Sequence, residues 1–459
     1  MSAQPAERCE VPRSRGEVQR SRGEVPRLRG EVSRSHGEVR RASGDRQKIP
    51  GDVQSALEGV RVLECTDGPV EYCGRLLAGL GADVVKVESQ NGAESRLAGP
   101  FLDDDGDPDH SLAFWADNVG KRSVVIEDVE LRALLGSADV FVHDMRPGEA
   151  TERGLAYEQL EKSNPALIVC AVTPFGQSGP WADYLADDLV LMALGGSMAA
   201  CGYGPGSGGK YDTPPLACMG DQALRTAATY AAIATMAALY WRGESGRGQL
   251  IDVSAHECSA SMTEWHLMTY LCSGNPYRRG PHPTLTAADG RQVAALNPDF
   301  LGPHVFEGML EMLEADGVAG PLSEPSYKDP AHRAANYKEI WGALKRLAAK
   351  HDAETLYRLG QKAGLPWGVI RSPEETVDDS HLRSRGHFVD LDHERLGRTV
   401  TYPGAPFVAH GSPWVMTRRP PHLGEHTEEV LTEWKARKST ALKSKEQEND
   451  EQRRRGTKQ

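Results

Sequence analysis

The sequence predicts an α/β fold: a large domain with an open, parallel, Rossmann-like sheet, and a second, smaller α+β domain. The first observation is a βαβ unit, in which the strand patterns GVRVLECT and ADVVKVE flank helical apolar spacing from Pro69 to Leu80. The second is that strand patterns recur further along, at SVVIED, ADVFVHD and ALIVCAVTPFG. Parallel strands joined by a helix form a right-handed crossover, and ligands of such sheets bind beyond the carboxyl ends of the strands.

The turn after the first predicted strand does not carry a nucleotide-binding fingerprint. Its sequence, ECTDGPVEYCG, lacks GxGxxG, and the chain contains no GxxxxGK[ST] motif. Those glycines allow a backbone to approach phosphate groups closely. The sequence therefore favours neither a dinucleotide-binding nor a P-loop protein.

The later segments define the predicted domain organisation. The alanine-rich stretch from Gln222 to Arg242 predicts a long helix, because alanine has the highest helix propensity, and LIDVSA predicts a further strand. Helices are expected around Val305–Glu314 and Tyr337–Lys350. The predicted divisions are a disordered low-complexity tail (1–50), the first part of the large domain (51–275), the small α+β domain (276–395), the return to the large domain (396–435) and a disordered charged tail (436–459).

The N-terminal tail is assigned from its repeats. Units of the type RSRGEVQ recur every seven residues, beginning at Arg13, Arg20, Arg27 and Arg34. A coiled coil requires two apolar positions per heptad and tolerates glycine poorly, whereas each unit offers one valine and one glycine. Low-complexity disorder is the better interpretation.

Composition excludes several classes of protein. The 459 residues carry a net charge of −12, which argues against a general nucleic-acid binder. No apolar run is long enough to span a bilayer and no signal-peptide pattern is present, so we expect a cytoplasmic protein without a membrane partner. The eight cysteines form no CxxC pair and the fifteen histidines form no HExxH motif, which predicts no metal site.

The stretch from Ala186 to Asp221 is the strongest candidate for a site. The adjacent carboxylates Asp187 and Asp188 precede an apolar run, a glycine-rich loop contains Asp212, and Asp221 follows. Carboxylates between apolar segments and glycine turns cost desolvation energy unless they are paired or used. The alternative for Asp187 and Asp188 is that they cap a helix over Leu189–Met198.

Nine stretches together carry a family resemblance. In chain order they are GVRVLECT, LLAGLGADVVKVE, NVGKRSVVIE, ADVFVHDMRPG, NPALIVCAVTPFGQSGP, RGESGRGQLIDVSAHE, AGLPWGVIRS, DSHLRSRGHF and PHLGEHTEEVL. From about residue 57 to about 432 the chain resembles the class III CoA-transferases of the CaiB/BaiF type. This superfamily includes formyl-CoA and carnitine CoA-transferases and the 2-methylacyl-CoA racemases.

The resemblance implies a large domain made from both ends of the chain and an interlocked homodimer. It implies acyl-CoA and a small carboxylic acid as substrates, with no permanently bound cofactor. By family position, the residues that line the CoA path are Asp144, Met145, Arg153 and Thr173, while Lys121 and Arg122 are candidates to face its phosphates.

The resemblance also ranks the carboxylates. Asp212 takes the place of the transferases' catalytic aspartate, which would transfer CoA through an aspartyl mixed anhydride and an aspartyl-CoA thioester, although Thr213 replaces a glycine of the pattern. Asp188 remains an alternative nucleophile. In the racemases the acid–base pair is a histidine, replaced here by Asp187, and an aspartate that corresponds to Asp221. This favours a transferase over an isomerase that would use Asp221 with Asp187 or Asp188, and a non-catalytic CoA-binding homologue is the other alternative.

Overall fold

The structure, a computed structural model, describes residues 54–206, 208–277, 279–280, 283–295 and 303–434. The two predicted tails, and residues 281–282 and 296–299 of the chain between them, lie outside these residues. The strands are β1 (Arg61–Cys65), β2 (Asp83–Glu88), β3 (Arg122–Val125), β4 (Val140–His143), β5 (Ile168–Thr173), β6 (Leu250–Ser254), β7 (Thr284–Thr286), β8 (Gln292–Ala294), β9 (Gly368–Val369), β10 (Phe388–His393) and β11 (Arg398–Pro403).

The helices lie between these strands. They are α1 (Tyr72–Gly79), α2 (Leu112–Asn118), α3 (Asp128–Leu135), α4 (Glu149–Glu152), α5 (Tyr157–Leu160), α6 (Asp188–Leu194), α7 (Ser197–Ala200), α8 (Gln222–Ser245), α9 (Ala255–Ser261), α10 (Glu264–Ser273), α11 (Pro303–Ala315), α12 (Pro330–Ala335), α13 (Tyr337–Ala348), α14 (Ala353–Lys362), α15 (Pro373–Thr376) and α16 (Ser380–Ser384). Short 3₁₀ helices occupy Gly68–Glu71, Glu94–Leu97, Leu102–Asp104, Pro108–His110, Gly320–Ser323, Pro325–Lys328 and Glu394–Leu396, and residues 427–434 are helical. None of the described helices is both long and apolar enough to cross a membrane.

The main sheet has six parallel strands in the order β3-β2-β1-β4-β5-β6. This is the strand order of doubly wound nucleotide-binding folds, whose ligand crevice lies where the order reverses, here between β1 and β4. The α/β class and the parallel sheet are thus confirmed. The division into a large and a small domain at residues 275 and 395 stays a prediction.

Both faces of the main sheet are covered by helices. Val62 and Val140 point toward a core formed with α1, α6 and α8, whereas Leu63 and Phe141 point toward α3 and Trp434 on the opposite face. Successive residues of a strand face opposite sides of a sheet, so strands buried on both sides read as continuous apolar runs. That is why the strands were visible in the sequence.

Two smaller sheets lie in the later part of the chain. Strands β7, β8 and β9 form an antiparallel sheet next to a separate apolar cluster that includes Leu285 and Trp367. Strands β10 and β11 form a hairpin, whose Leu391 and Tyr402 pack with Trp115 of α2. The predicted boundary at residue 395 therefore lies inside this hairpin.

Helix α8 is oriented so that it brings its first turn to the carboxyl edge of the sheet. Near the end of the helix, Arg242 donates to two carbonyl oxygens. That of Asp139 lies immediately before β4, and that of Ala166 lies just before β5. The helix has 24 residues and is therefore about 36 Å long, whereas strands of five or six residues span only about 20 Å. Its first turn must lie on the side where ligands of parallel sheets bind.

Candidate active site

A cavity of about 490 Å³ opens at the carboxyl ends of the strands on both sides of the reversal point. The residues that follow β1, β2, β3 and β4 all contribute to it. Those that the argument uses are Thr66, Asp67, Ser89, Gln90, Asp128, Asp144 and Arg153. The cavity therefore lies at the edge of the sheet where a ligand is expected to bind.

Asp144 has the most perturbed carboxyl group of this cavity. Burial raises the pKa of Asp144 to about 7, although the backbone N–H of Asp67, which donates to its Oδ2 at 2.7 Å, opposes the rise. Arg153 lies in the same cavity and binds the carboxylate of Asp128 at 2.8 Å. The hydrogen bond from Arg153 lowers the pKa of Asp128, so this cation is already partly neutralised.

Met145 and Thr173 are buried beside this edge rather than in the cavity lining. The carbonyl oxygen of Met145 accepts from the side chain of Gln177 at 3.2 Å, which joins the loop after β4 to the loop after β5. The hydroxyl of Thr173 is buried without a hydrogen-bond partner. Of the four residues predicted along the CoA path, the structure therefore places Asp144 and Arg153 in one cavity and the other two near it.

Lys121 and Arg122 are engaged within the fold. The ammonium group of Lys121 is fully buried and lies 2.5 Å from Glu64 Oε2 and 2.7 Å from the carbonyl oxygen of Glu71. Neither Lys121 nor Arg122 lines the cavity. The guanidinium of Arg122 binds three carboxylates, those of Asp83, Glu429 and Glu433. This geometry does not favour the predicted phosphate contacts and assigns both side chains a structural role instead.

Two of the four candidate carboxylates hold helix ends. Asp187 is the N-cap of α6, where its side chain accepts from the backbone N–H of Val190 at 2.9 Å. Asp188, the first residue of that helix, accepts from the backbone N–H of Leu224 in the first turn of α8 at 3.0 Å. The capping alternative is thus correct for Asp187, and Asp188 caps a different helix from the one expected.

Asp221 lies at the N-cap position of α8 but does not cap it with its side chain. Its backbone adopts a left-handed conformation, with φ of 52°, which is uncommon for a residue with a β-carbon. Its side chain is exposed. Asp221 therefore begins the helix whose first turn Asp188 binds.

Asp212 lies in the exposed loop between α7 and α8. The described residues of the loop supply no hydrogen bond to its carboxylate, whose Oδ2 would be 3.0 Å from a β-carbon placed on Gly206. A side chain at position 206 would press the carboxylate outward by a few tenths of an ångström. Within the described part of the chain, no three His, Cys, Asp or Glu side chains are placed to hold a metal ion.

Arg279 is a site residue that the sequence analysis missed. Its side chain is buried, its Nη2 donates to the carbonyl oxygen of Thr213, and its guanidinium lies 4.3 Å from the ring centre of Tyr211. These contacts fall on the residues immediately before and after Asp212. In the sequence, Arg279 was one arginine of a polar stretch, YRRG, and nothing marked it as buried.

Comparisons with known proteins agree on one family. The model described as CoA-transferase family III matches residues 57–427. Relatives include the succinyl-CoA:(R)-benzylsuccinate CoA-transferase subunit BbsE of Thauera aromatica, 31% identical over 81% of this chain and 93% of that protein. The succinate–glutarate CoA-transferase of Agrobacterium fabrum is 30% identical over 84% of this chain and 97% of its own length.

A solved structure supports the same assignment. A CaiB/BaiF family protein from Brucella suis superposes with a TM-score of 0.69 and 28% sequence identity, covering 83% of this chain and 100% of that one. Both kinds of comparison confirm the resemblance that the sequence motifs indicated. The chain is therefore a class III CoA-transferase, a member of CoA-transferase family III.

Proposed function

We propose that the enzyme moves CoA from an acyl-CoA donor to a small carboxylic acid, with the Asp212 carboxylate as the nucleophile. The observation that carries the choice of residue is the contrast between two carboxylates. Asp188 Oδ1 is occupied by the N–H of Leu224, whereas Asp212 is exposed in a glycine-rich loop. A carboxylate that is not already bound by backbone donors is the better nucleophile.

The proposed reaction has four steps. The Asp212 carboxylate attacks the donor thioester, so that the C–S bond breaks, CoA leaves as a thiolate and a mixed anhydride forms. The thiolate attacks the aspartyl carbonyl, which releases the donor acid and leaves an aspartyl-CoA thioester. The acceptor carboxylate attacks this thioester to form a second anhydride and release the thiolate, which then attacks the acceptor's acyl carbonyl and regenerates Asp212. Covalent catalysis of this kind divides one difficult transfer into easier ones.

The glycine-rich loop supplies candidate donors for the oxyanions of these steps. Gly208 and Gly209 both have positive φ, 112° and 75°, so their N–H groups point in directions that other residues rarely allow. A backbone donor aimed at a developing oxyanion lowers the activation free energy by about 3 kcal/mol. We therefore assign the loop to transition-state stabilisation as well as to carrying Asp212.

The cavity beside Asp144 is the proposed location of the CoA nucleotide. It lies at the reversal point of a doubly wound sheet, where such folds bind nucleotides. Arg153 is the cation of this cavity that can contact a phosphate, with Met145 and Thr173 buried nearby. Lys121 and Arg122 are left out of this proposal because neither lines the cavity.

The homodimer is also a proposal. None of the residues of α10 is buried in the single chain, and Trp265 and Leu271 on it are 79% and 65% exposed. Tyr240 of α8 is 77% exposed. Exposed apolar surfaces of this extent mark interaction sites, and a second copy of the chain is the proposed partner.

The test is trapping of the covalent intermediate. The first donor to use is succinyl-CoA, because the two relatives above are named for succinate or its CoA ester. The enzyme is incubated with the donor, treated with hydroxylamine or borohydride, and analysed by peptide mass spectrometry. The proposal predicts modification at Asp212 and none in Asp212→Asn; modification at Asp188 in both would keep the reaction and transfer the role of nucleophile to Asp188.

A second candidate function follows from the presence of two carboxylates, Asp188 and Asp221, at the start of α8. Two carboxylates there would exchange the α-proton of an acyl-CoA, as in an isomerase, if their pKa values differ. The distinguishing result is deuterium entering the acyl α-position from D₂O without any acceptor acid and without a covalent adduct. CoA binding without turnover, unaffected by Asp212→Ala, would instead indicate a non-catalytic homologue.

A further inference from the structure

Arg279 is buried and lacks a counter-ion. Only 6% of its surface is exposed, and within the described residues no carboxylate forms an ion pair with it. Its Nε–H is buried without a hydrogen-bond partner. The Thr213 carbonyl oxygen and the Tyr211 ring satisfy part of the guanidinium, but neither carries a negative charge.

An unpaired cation in such a place is costly. A charged group that is taken out of water loses hydration energy, and an anion or well-placed hydrogen-bond acceptors must compensate for that loss. Lys121 and Lys86 meet that requirement with the carboxylates of Glu64 and Glu71.

Arg333, which is equally buried, has no carboxylate either, but it donates to the carbonyl oxygens of Tyr327 and Lys328 and leaves no buried N–H unsatisfied among the described residues. Arg279 differs from all three of these cations in its orphaned Nε–H. Arg279 therefore has the features of a residue that receives its anion from outside the chain.

We propose that Arg279 binds the second, non-reacting carboxylate of a dicarboxylic acid substrate, an inference that rests on the CoA transfer proposed above. Its contacts lie on both neighbours of Asp212, so its guanidinium is within one substrate length of the proposed nucleophile. The reacting carboxylate loses its charge when it becomes an anhydride or a thioester. A second carboxylate keeps its charge through every step, and guanidinium binds carboxylate through paired N–H donors.

The loop that carries Asp212 contains several glycines, one of which lies against Arg279. Gly202 lies against the guanidinium, with its added β-carbon 3.6 Å from Nη1, and has φ of 121°. Gly208 and Gly209 of the same loop have no neighbouring atom within 4 Å of an added β-carbon. At these three positions the loop therefore has no side chain that an acid would have to displace on reaching Arg279.

The test compares succinate with butyrate, in which a methyl group replaces the second carboxylate. Transfer of CoA to each acid is measured as kcat/KM in the full-length enzyme, together with the rate of adduct formation from succinyl-CoA and butyryl-CoA. The wild type is expected to favour succinate at least tenfold. Arg279→Gln is expected to lower kcat/KM for succinate by about 10- to 150-fold, the range for a hydrogen bond to a charged group, and to change that for butyrate less than about threefold.

Matched variants separate recognition from folding. Arg291→Gln is the control, because Arg291 is also an arginine of this region but is paired at the surface with Glu375. Arg279→Lys keeps the charge without the planar fork and is expected to give an intermediate succinate preference, which remains measurable if Arg279→Gln does not fold.

The outcomes distinguish the two proposals. Equal use of succinate and butyrate by an active wild type, or a parallel loss with both acids in a folded Arg279 variant, overturns the role of Arg279 and leaves CoA transfer intact. If CoA is not transferred to any acid, whether or not an adduct forms at Asp212, both the CoA transfer and the role of Arg279 are overturned.

Discussion

Replacing Lys121 with methionine is expected to destabilise the protein severely rather than to weaken CoA binding. The ammonium group of Lys121 lies 2.5 Å from Glu64 Oε2, and both side chains are fully buried. After the change, the described structure leaves Glu64 with one hydrogen bond, from the N–H of Gly74 at 3.1 Å. Breaking a buried pair by removing one partner costs about 3–5 kcal/mol, a large share of the roughly 5–15 kcal/mol by which proteins are stable.

Urea unfolding measures this loss. We expect the midpoint to fall with little change in slope, because the surface exposed on unfolding is nearly unchanged. The double variant Lys121→Met, Glu64→Gln removes both charges and is expected to regain much of the loss. The reasoning is refuted if Lys121→Met unfolds within about 1 kcal/mol of the wild type while its KM for acyl-CoA rises, since that pair of results would restore the phosphate contact inferred from the sequence.

Three further predictions test other parts of the structure. Burial raises the pKa of Asp144 to about 7 in the folded protein, against about 3.9 in an unfolded chain. Between these pH values the folded protein binds a proton that the unfolded chain does not, so the stability due to this group should be lost as pH rises from about 4 to about 7. The urea midpoint of Asp144→Asn should therefore change less with pH over that range than the midpoint of the wild type, and identical pH profiles would contradict the assignment. Gly248→Ala should cost about 1–3 kcal/mol in thermal unfolding, because its β-carbon would lie 1.9 Å from the carbonyl oxygen of Leu167, whereas Gly243→Ala in open space on α8 should be neutral or stabilising. If the protein forms the proposed homodimer through α10, Trp265→Glu should lower its mass in light scattering toward that of a monomer, and an unchanged mass would show that α10 does not contribute to association.

The fold was largely predictable because its signals are local. Strands buried on both faces appear as short apolar runs, and β1 to β5 each coincide with a largely buried segment of that kind. The edge strand β6, in which Leu250 and Asp252 are exposed, follows the strand pattern LIDVSA. The order of the strands was not predictable in the same way. It depends on pairings between distant segments, such as β1 with β4, which no periodicity within a single segment encodes.

Site residues were predictable where the family's sequence pattern locates them, but not where their role depends on whether the side chain is buried. Asp144 and Arg153 do line a common cavity, and the family pattern found them. The sequence predicts a phosphate contact for Lys121 because its partner Glu64 is 57 positions earlier in the chain, too far for the sequence pattern to show that the two pair. Arg279 was missed for the converse reason, since an arginine without a partner is ordinary at the surface and informative only once it is known to be buried.

The strand order is that of a Rossmann-like fold, yet the turn after β1 lacks the glycine fingerprint. The contacts of Asp67 in this turn explain the difference. In dinucleotide-binding folds, the turn after the first strand offers backbone N–H groups to a pyrophosphate. Here the Asp67 carboxylate accepts from the N–H groups of Gly68, Glu94 and Ser95, at 2.9, 2.7 and 2.8 Å. The donors that a phosphate would need are already bound by an anion that belongs to the chain.

Two buried lysines fix this turn from within the fold. Lys86 donates to the carbonyl oxygen of Thr66 at 2.7 Å and pairs with Glu71, while Lys121 donates to the carbonyl oxygen of Glu71. A turn held in this way does not require glycines for close approach to a ligand. If CoA binds in this cavity as proposed, a phosphate placed against the turn would meet the Asp67 carboxylate, whereas Arg153 is the cation among the residues that line the cavity. Substitution of Arg153, rather than of the turn, should therefore weaken CoA binding.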